Sequence, residues 1–233
     1  VSKEILILEV GAGIGLSYIY FQKMGYNITG IEPATNDIYS EYQKIAQKLF
    51  KIAKIDTSQW HSFSIEESHQ LNRKYDLILS NFVLEHVNDT ESAVIDLYQI
   101  LNKGGKMIHN TVNYNVPFEP HLNIILLPFA SRQTERLRTS LKDNPLWKTL
   151  NFISYSEVIK ISKKHQLNCV FNRHTTFSYL ERLISDKEFR KRKSLLFNLF
   201  GILKKCHLIA LVKLLPVRYN TPMTFTITKI HYN

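Results

Sequence analysis

The sequence predicts an α/β fold in which parallel strands alternate with helices. Residues 5–10 are apolar apart from one glutamate, as in a buried strand, and glycines at every second position follow directly. Residues 16–24 then show a helical pattern, and residues 26–31 have the apolar and β-branched character of a second strand. This order of strand, glycine loop, helix and strand is typical of a sheet that binds a nucleotide at its edge.

Three glycines, Gly11, Gly13 and Gly15, shape the loop after the first strand. Because glycine has no Cβ, the first two let backbone amides approach a ligand closely, and Gly15 lets the next helix pack against the strand. A dinucleotide-binding loop has the spacing Gly-x-Gly-x-x-Gly, whereas Leu16 occupies the last of those positions here. The spacing therefore argues against a dinucleotide.

Two acidic residues favour a cofactor that carries positive charge. Glu9 lies two residues before the loop, and Glu32 ends the second strand, about 20 residues beyond the first glycine. The pattern Glu-x-Gly-x-Gly-x-Gly resembles motif I of the class I S-adenosylmethionine-dependent methyltransferases. That resemblance makes Glu32 the ribose-binding acid. The residues expected at the cofactor from this region are Glu9, Gly11, Ala12, Gly13, Glu32 and Pro33.

A second resemblance begins at the predicted fourth strand, residues 75–81. It continues into Phe82-Val-Leu-Glu-His86, and the run is similar to a segment of small-molecule methyltransferases related to the ubiquinone-biosynthesis O-methyltransferases. Because parallel strands end at the ligand crevice, Ser80, Asn81 and Phe82 are expected to line it. After this run we expect a helix over residues 90–101, a helix stop at residues 102–105 and a fifth strand over residues 106–112.

A short third strand is predicted near residues 60–65. Its end carries Glu66 and Glu67, at the place from which members of the resembling family contact the adenine amino group. Glu66 is the favoured residue and Glu67 the alternative, and a surface turn explains either one equally well.

Beyond residue 112 the resemblance fades. A proline-marked loop, residues 113–128, precedes a predicted helix (154–165), a sixth strand (166–173) and a final strand (223–230). The resemblance thus implies a Rossmann-like class I methyltransferase sheet of seven strands, the last one antiparallel, with a helical basic insertion, residues 177–221, before the final strand. We expect a single domain, residues 1–233, with a cofactor-binding half (1–112) and a substrate-side half (113–233).

Charge is distributed unevenly along the chain. The 233 residues carry a net charge of +10, but residues 1–112 hold 10 Lys and Arg against 13 Asp and Glu, whereas residues 178–218 hold 10 against 3. The cofactor-binding half is therefore not basic. Two cysteines without paired spacing argue against a disulfide framework and for a reducing, cytoplasmic setting.

The basic residues lie next to two apolar runs within residues 187–215. Neither run reaches the roughly 20 residues that span a bilayer. The segment suits an anionic membrane surface or a lid over a lipid-linked substrate, and core-packing helices with a solvated basic face explain it equally well. Nucleic acid is a less favoured partner, because the basic residues alternate with aliphatic side chains and no Asn-Pro-Pro-Tyr-like signature follows the fourth strand.

Two histidines are candidates for the base that a hydroxyl acceptor needs. His86 follows the fourth strand at the carboxyl edge of the sheet, and imidazole titrates near neutral pH; a ring bonded to backbone is the alternative explanation. His121 lies in the proline-marked loop beside Glu119, which can orient its ring. Some relatives hold a metal through a Glu-x-x-Glu-His arrangement, of which only Glu85-His86 is present. No metal is therefore expected, and no Cys/His spacing suggests zinc.

Together these patterns predict a methyltransferase that uses S-adenosylmethionine to methylate an oxygen, rather than a nitrogen, of a small molecule or a lipid- or glycan-linked acceptor. A nucleic-acid methyltransferase and a non-catalytic, cofactor-binding scaffold are the alternatives. The sequence defines neither the acceptor nor the oligomeric state.

Overall fold

The computed structural model describes residues 3–34, 37–192, 205, 212 and 214–230. Its main sheet contains seven strands: β1 (Leu6–Val10), β2 (Asn27–Ile31), β3 (Trp60–His61), β4 (Tyr75–Asn81), β5 (Leu101–Thr111), β8 (Asn168–Phe171) and β9 (Met223–Thr228). Two further strands, β6 (Phe118–Glu119) and β7 (Ile124–Ile125), form a separate hairpin.

The main sheet has the order β3-β2-β1-β4-β5-β9-β8. The first five strands in this order pair in parallel, whereas β9 is antiparallel to both of its neighbours. The predicted class I methyltransferase sheet, with seven strands and an antiparallel last strand, is thereby confirmed. The connection after β1 leads to β2 on one side, whereas the connection after β3 leads to β4 on the other side of β1, and a crevice opens at the carboxyl ends of β1 and β4.

Helices cover the sheet and connect its strands. The N-cap residue of α3 is Asp89, whose carboxylate accepts a hydrogen bond from the Ser92 amide. The N-cap residue of α5 is Ser154, whose hydroxyl accepts a hydrogen bond from the Glu157 amide. The helices are α1 (Leu16–Lys23), α2 (Asp37–Ala53), α3 (Thr90–Gln99), α4 (Pro145–Thr149), α5 (Tyr155–Lys164), α6 (Thr175–Ser185) and α7 (Lys187–Arg192).

An aromatic cluster joins α1 and α2 to the sheet. The rings of Tyr18, Phe50 and Trp60 are buried and lie with centroids 4.8 to 5.5 Å apart. Gly15 is part of this packing, because a Cβ at that position would lie 2.5 Å from the Phe50 ring. The predicted role of Gly15, to let the helix pack closely, agrees with this contact.

A second packed unit, the cap, comprises residues 112–152 and lies beyond the end of β5. Its core contains the fully buried Trp147, with Tyr114 and Leu150 among its neighbours. The hairpin of β6 and β7 belongs to this cap and replaces what the sequence predicts as a loop. The cap thus supplies a wall above the sheet edge.

Three further features differ from the sequence-based expectation. The third strand is only two residues long. The helix α3 ends at Gln99, before the predicted end at residue 101, and the predicted helix stop, residues 102–105, lies inside β5. The strand β5 meets β4 with an irregular register at this point. Of the predicted insertion, α6 and α7 are helical, but nearly all of its apolar runs lie outside the described residues. None of the helices in the described ranges has both the length and the apolar character needed to cross a membrane.

We expect Gly15→Ala to lower the free energy of unfolding by about 2 to 4 kcal/mol, because the new methyl group would overlap Phe50 in a backbone with φ of 77°. Gly13→Ala is the matched control. Its φ is also positive (57°), but nothing lies within 4 Å of its Cβ position, so only strain of about 1 kcal/mol is expected. Urea unfolding of both variants measures the difference, and equal losses would contradict the packing role of Gly15.

Candidate active site

A cavity of about 630 Å³ lies at the carboxyl ends of the central strands, between the glycine loop and the cap. Its size suits a nucleotide-sized ligand together with a small acceptor group. Sequence reasoning missed five lining residues: Tyr42, Val83, Pro145, Leu146 and Thr149. The predicted site residues that line the cavity are Gly11, Gly13, Glu32, Pro33, Asn81, Phe82, His86 and His121.

The glycine loop is held in a left-handed conformation at Gly11 and Gly13, with φ of 66° and 57°. The amides of Gly11 and Ala12 both donate to the Ile31 carbonyl, which ties the loop to the end of β2. A Cβ at Gly11 would lie 2.2 Å from Val83, whereas a Cβ at Gly13 would project into open space. The loop therefore presents bare backbone to the cavity at Gly13.

Glu32 directly follows β2, and its side chain connects the end of this strand to the glycine loop after β1. Its Oε2 accepts a hydrogen bond of 2.7 Å from the Gly13 amide. Burial raises the pKa of Glu32, and this amide contact opposes the rise. Glu32 thus places a buried carboxylate beside the glycine loop, where a ligand hydroxyl can reach it.

Glu9 lies in β1, beneath the loop rather than in the cavity wall. Its Oε2 is buried and has no hydrogen-bond partner among the described residues. Burial raises the pKa of Glu9 to about 7; a Ser17 hydrogen bond opposes the rise, and the charge of Glu32 adds to it. A buried carboxylate oxygen without a partner is unfavourable unless a cation or donor comes close, so this residue fits a positively charged ligand.

Two other predicted cofactor residues are outside the cavity wall. Ala12 is 8% exposed and contributes its amide to the Ile31 carbonyl. Glu66 is exposed at the surface, and its neighbour Glu67 accepts a hydrogen bond from the Ser64 amide within a tight turn. The structure therefore does not bring Glu66 together with the other predicted residues.

Phe82 follows β4 in an unusual conformation for an aromatic residue, with φ of 57°. Its amide donates to the Asn110 carbonyl at 2.7 Å, which holds the strained backbone in place. Residual strain of this kind concentrates at functional sites. In this conformation the centroid of the Phe82 ring lies 6.2 Å from the centroid of the His121 ring, between the glycine loop and the cap.

His121 is oriented by a buried carboxylate, as the sequence predicts. Glu119, fully buried in β6, has its Oε1 at 2.7 Å from His121 Nδ1, and its Oε2 accepts a hydrogen bond from the Tyr114 hydroxyl. Burial alone would raise the pKa of Glu119, but the hydrogen bonds from His121 and Tyr114 outweigh it and lower the pKa. The pair is therefore an ionised carboxylate hydrogen-bonded to an imidazole.

His86 lies beside His121, with ring centroids 5.7 Å apart. Its side chain contacts Thr149 of the cap, with 2.9 Å between Nδ1 and Oγ1, rather than backbone. Burial lowers the pKa of His86 to about 4, and His121 adds to the effect. His86 therefore stays neutral at physiological pH and is a weak base.

Glu85 is a site residue that sequence reasoning named only in the context of a metal. It is fully buried, its Oε2 accepts a hydrogen bond of 2.6 Å from Thr111, and its Oε1 has no partner among the described residues. Burial raises its pKa to about 7. The ligand atoms of Glu85, His86 and His121 lie within 4.8 Å of one another, an arrangement of two imidazoles and one carboxylate that can hold a divalent cation or a ligand rich in hydrogen-bond donors.

Asn151 fastens the cap to the turn that carries these residues. Its side-chain nitrogen lies within 3.1 Å of the Leu84 and Val87 carbonyls and the Thr90 hydroxyl. The backbone amide of Asn151 donates a hydrogen bond to the Glu85 carbonyl at 2.9 Å. The histidine turn and the cap wall are thereby held as one unit.

Comparison with known proteins places the chain among methyltransferases. The family described as "Methyltransferase domain" matches residues 2–181. An uncharacterized protein of Mycobacterium tuberculosis is 28% identical over 201 residues, which cover 81% of this chain and 66% of the relative. The mitochondrial ubiquinone biosynthesis O-methyltransferase of Rattus norvegicus is 34% identical over 110 residues, covering 46% of this chain and 30% of the enzyme.

A solved structure agrees in fold over nearly the whole chain. The plantazolicin methyltransferase BpumL, crystallised with a triazolic desmethylPZN analog and SAH, superposes with a TM-score of 0.55 at 13% identity, covering 97% of this chain and 77% of that enzyme. At this identity the likeness concerns the fold alone. The chain also spans less than two thirds of the length of the mycobacterial and rat relatives.

Removing the charge of Glu85 should stabilise the protein in a pH-dependent way. The folded-state pKa of Glu85, about 7, lies above its ordinary value of 4.5, so its contribution to stability is present below pH 4.5 and lost as the pH rises through 7. We expect Glu85→Gln to raise the free energy of unfolding at pH 8, relative to its effect at pH 5, by about 2 to 3 kcal/mol. Urea unfolding in the presence of a chelator measures this, with Glu66→Gln as the exposed control. The same change at both pH values would refute the assignment.

Proposed function

Since the chain belongs to the methyltransferase-domain family, we propose that it transfers a methyl group from S-adenosylmethionine to an oxygen of a small molecule or of a lipid- or glycan-linked acceptor. One observation carries this proposal: a single cavity joins the glycine loop and Glu32 to the histidine pair of His86 and His121. A cofactor subsite and an acceptor subsite are thus neighbours.

The residues around the glycine loop fit this cofactor. The bare backbone at Gly13 allows close approach, Glu32 suits the ribose hydroxyls, and the unpaired Glu9 oxygen suits the ammonium group of the amino-acid end. Asn81 lines the same region, and its Oδ1 accepts a hydrogen bond from Asn110, so its Nδ2 is the side-chain atom that can donate to a ligand. Bound S-adenosylmethionine supplies a methyl group on a sulfonium centre.

His121 is the base in this proposal. The ionised Glu119 accepts the Nδ1 proton of the ring, so proton uptake from the acceptor hydroxyl takes place at Nε2. His86 is less suited to that role because its pKa lies near 4. It acts instead as a neutral hydrogen-bond partner that orients the acceptor through a group other than the reacting hydroxyl. Orientation and exclusion of water by the cap supply the rest of the acceleration.

The acceptor wall is mainly apolar, since Phe82, Val83, Pro145 and Leu146 surround the histidines. Such a wall suits the ring or chain that carries the reacting hydroxyl. The name of the rat relative, an O-methyltransferase of ubiquinone biosynthesis, agrees with an oxygen acceptor. The basic segment, residues 187–215, remains the basis for proposing a lipid-linked acceptor, although most of this segment lies outside the described residues.

Cofactor affinity should depend on pH through Glu9. Its carboxyl group is protonated below pH 7 in the free protein, and a cationic ligand needs the carboxylate, so affinity is lost as the pH falls through 7. We expect binding of S-adenosylmethionine to be roughly tenfold weaker at pH 6 than at pH 7.5. Glu9→Gln should bind weakly at both pH values. Calorimetric titration checks both points, and an equally steep pH dependence in Glu9→Gln would exclude Glu9 as the cause.

Loss of the base should slow turnover without affecting the cofactor. His121→Ala is expected to lower the rate of labelled methyl transfer about 100- to 1,000-fold, and Glu119→Gln to lower it less, while the affinity for S-adenosylmethionine stays within twofold of the wild type. The assay uses cell extract as acceptor, and the label is counted separately in the aqueous and lipid phases. An unchanged rate in His121→Ala would refute the base assignment.

The same assay separates the enzyme from a binding scaffold. Tight cofactor binding by the wild type with no labelled product in either phase would favour the scaffold. Label in the lipid phase that disappears when residues 187–215 are deleted would support a lipid-linked acceptor.

A further inference from the structure

A short hydrogen-bond relay connects the cap to His86. Thr149, the last residue of α4, has its Oγ1 at 2.8 Å from the Leu146 carbonyl and at 2.9 Å from His86 Nδ1. All three residues line the cavity. The relay therefore runs along the wall of the acceptor subsite.

The relay defines which nitrogen of His86 carries the proton. The Leu146 carbonyl has no proton, so Thr149 must donate its single hydroxyl proton to that oxygen. The Thr149 oxygen can then only accept from His86, and Nδ1 must be the protonated ring nitrogen. A neutral ring protonated at Nδ1 has its lone pair at Nε2.

The cap keeps Thr149 in this position. Asn144 is the N-cap residue of the short helix α4, and its side chain accepts a hydrogen bond from the Trp147 amide. The buried Trp147 ring donates a hydrogen bond to Glu135 at 2.8 Å. Arg132 donates to the carbonyls of Trp147 and Leu150 at the end of the helix. Thr149 is therefore part of a rigid wall and not of a loose loop.

We propose that Thr149 is a positioning residue that fixes the tautomer of His86, so that Nε2 presents a lone pair to the methyl acceptor. The acceptor must then meet His86 with a second hydrogen-bond donor, such as a neighbouring hydroxyl or an amine, because the reacting hydroxyl gives its single proton to His121; a carboxylate or phosphate oxygen cannot bond there. This role in catalysis rests on the proposed function, whereas the tautomer itself is independent of it.

Nuclear magnetic resonance tests the tautomer directly. Protein labelled with ¹⁵N-histidine is measured at pH 7.5 with a chelator and without cofactor, and the His86 signals are assigned by their loss in His86→Gln. We expect Nδ1 to be protonated and Nε2 unprotonated in the wild type and in Thr149→Ser. In Thr149→Val, which lacks both the donor and the acceptor, the ring should shift towards protonation at Nε2. Thr139→Val, at an exposed position of the same cap, is the matched control and should resemble the wild type.

Protonation of wild-type His86 at Nε2, or an unchanged ring in Thr149→Val, would overturn the proposal. The far-ultraviolet circular dichroism and urea unfolding of Thr149→Val show whether the variant is folded. If it is not, the wild-type spectrum and Thr149→Ser still decide the tautomer.

Turnover tests the positioning role. Thr149→Val should reduce the rate of labelled methyl transfer about 5- to 10-fold, the effect of one lost hydrogen bond, with unchanged affinity for S-adenosylmethionine and recovery in Thr149→Ser. A shifted tautomer with an unchanged rate would refute the positioning role while leaving the methyltransferase assignment intact. A wild type with the expected tautomer and no turnover would refute the proposed function and leave the tautomer inference standing.

Discussion

The parallel pairing of β1 with both β2 and β4 is the constraint on which the site depends. Because the connection from β1 runs to β2 and the connection from β3 runs to β4 on the opposite side of β1, a crevice opens at the ends of β1 and β4. The Gly11 and Ala12 amides then close the loop onto the Ile31 carbonyl, and Glu32 reaches back to the Gly13 amide. Every group that is proposed to act on a ligand lies at this edge of the sheet or in the cap above it.

The open edge has a cost for stability, because it contains buried polar groups that none of the described residues satisfies. Glu9 and Glu85 each have a buried oxygen without a partner among the described residues, and burial raises both pKa values to about 7. By contrast, Glu119 is fully buried yet accepts hydrogen bonds from Tyr114 and His121. The contrast indicates that Glu119 organises the protein, whereas Glu9 and Glu85 are poised for groups that a ligand brings.

The parts of the site that are local in sequence were predictable. The glycine loop, Glu32 and the pairing of Glu119 with His121 depend on short spacings, so motif and spacing identify them. Thr149 and Leu146 could not be found in this way, because they reach the cavity only through the packing of the cap around Trp147. The hairpin of β6 and β7 was missed since strands of two residues have no detectable alternation, and residues 102–105 were misjudged because two glycines signal a helix end and an irregular strand alike.

The relay from Leu146 through Thr149 to His86 separates the shape of the cavity wall from the placement of the proton on His86. Its anchor is the main-chain carbonyl of Leu146, whereas the side chain of Leu146 only shapes the wall. A different side chain at this position leaves that carbonyl in place, and with it the protonation pattern of the imidazole. The side chain at position 146 can therefore vary, and with it the shape of the cavity wall, while the hydrogen bond that orients Thr149 is kept.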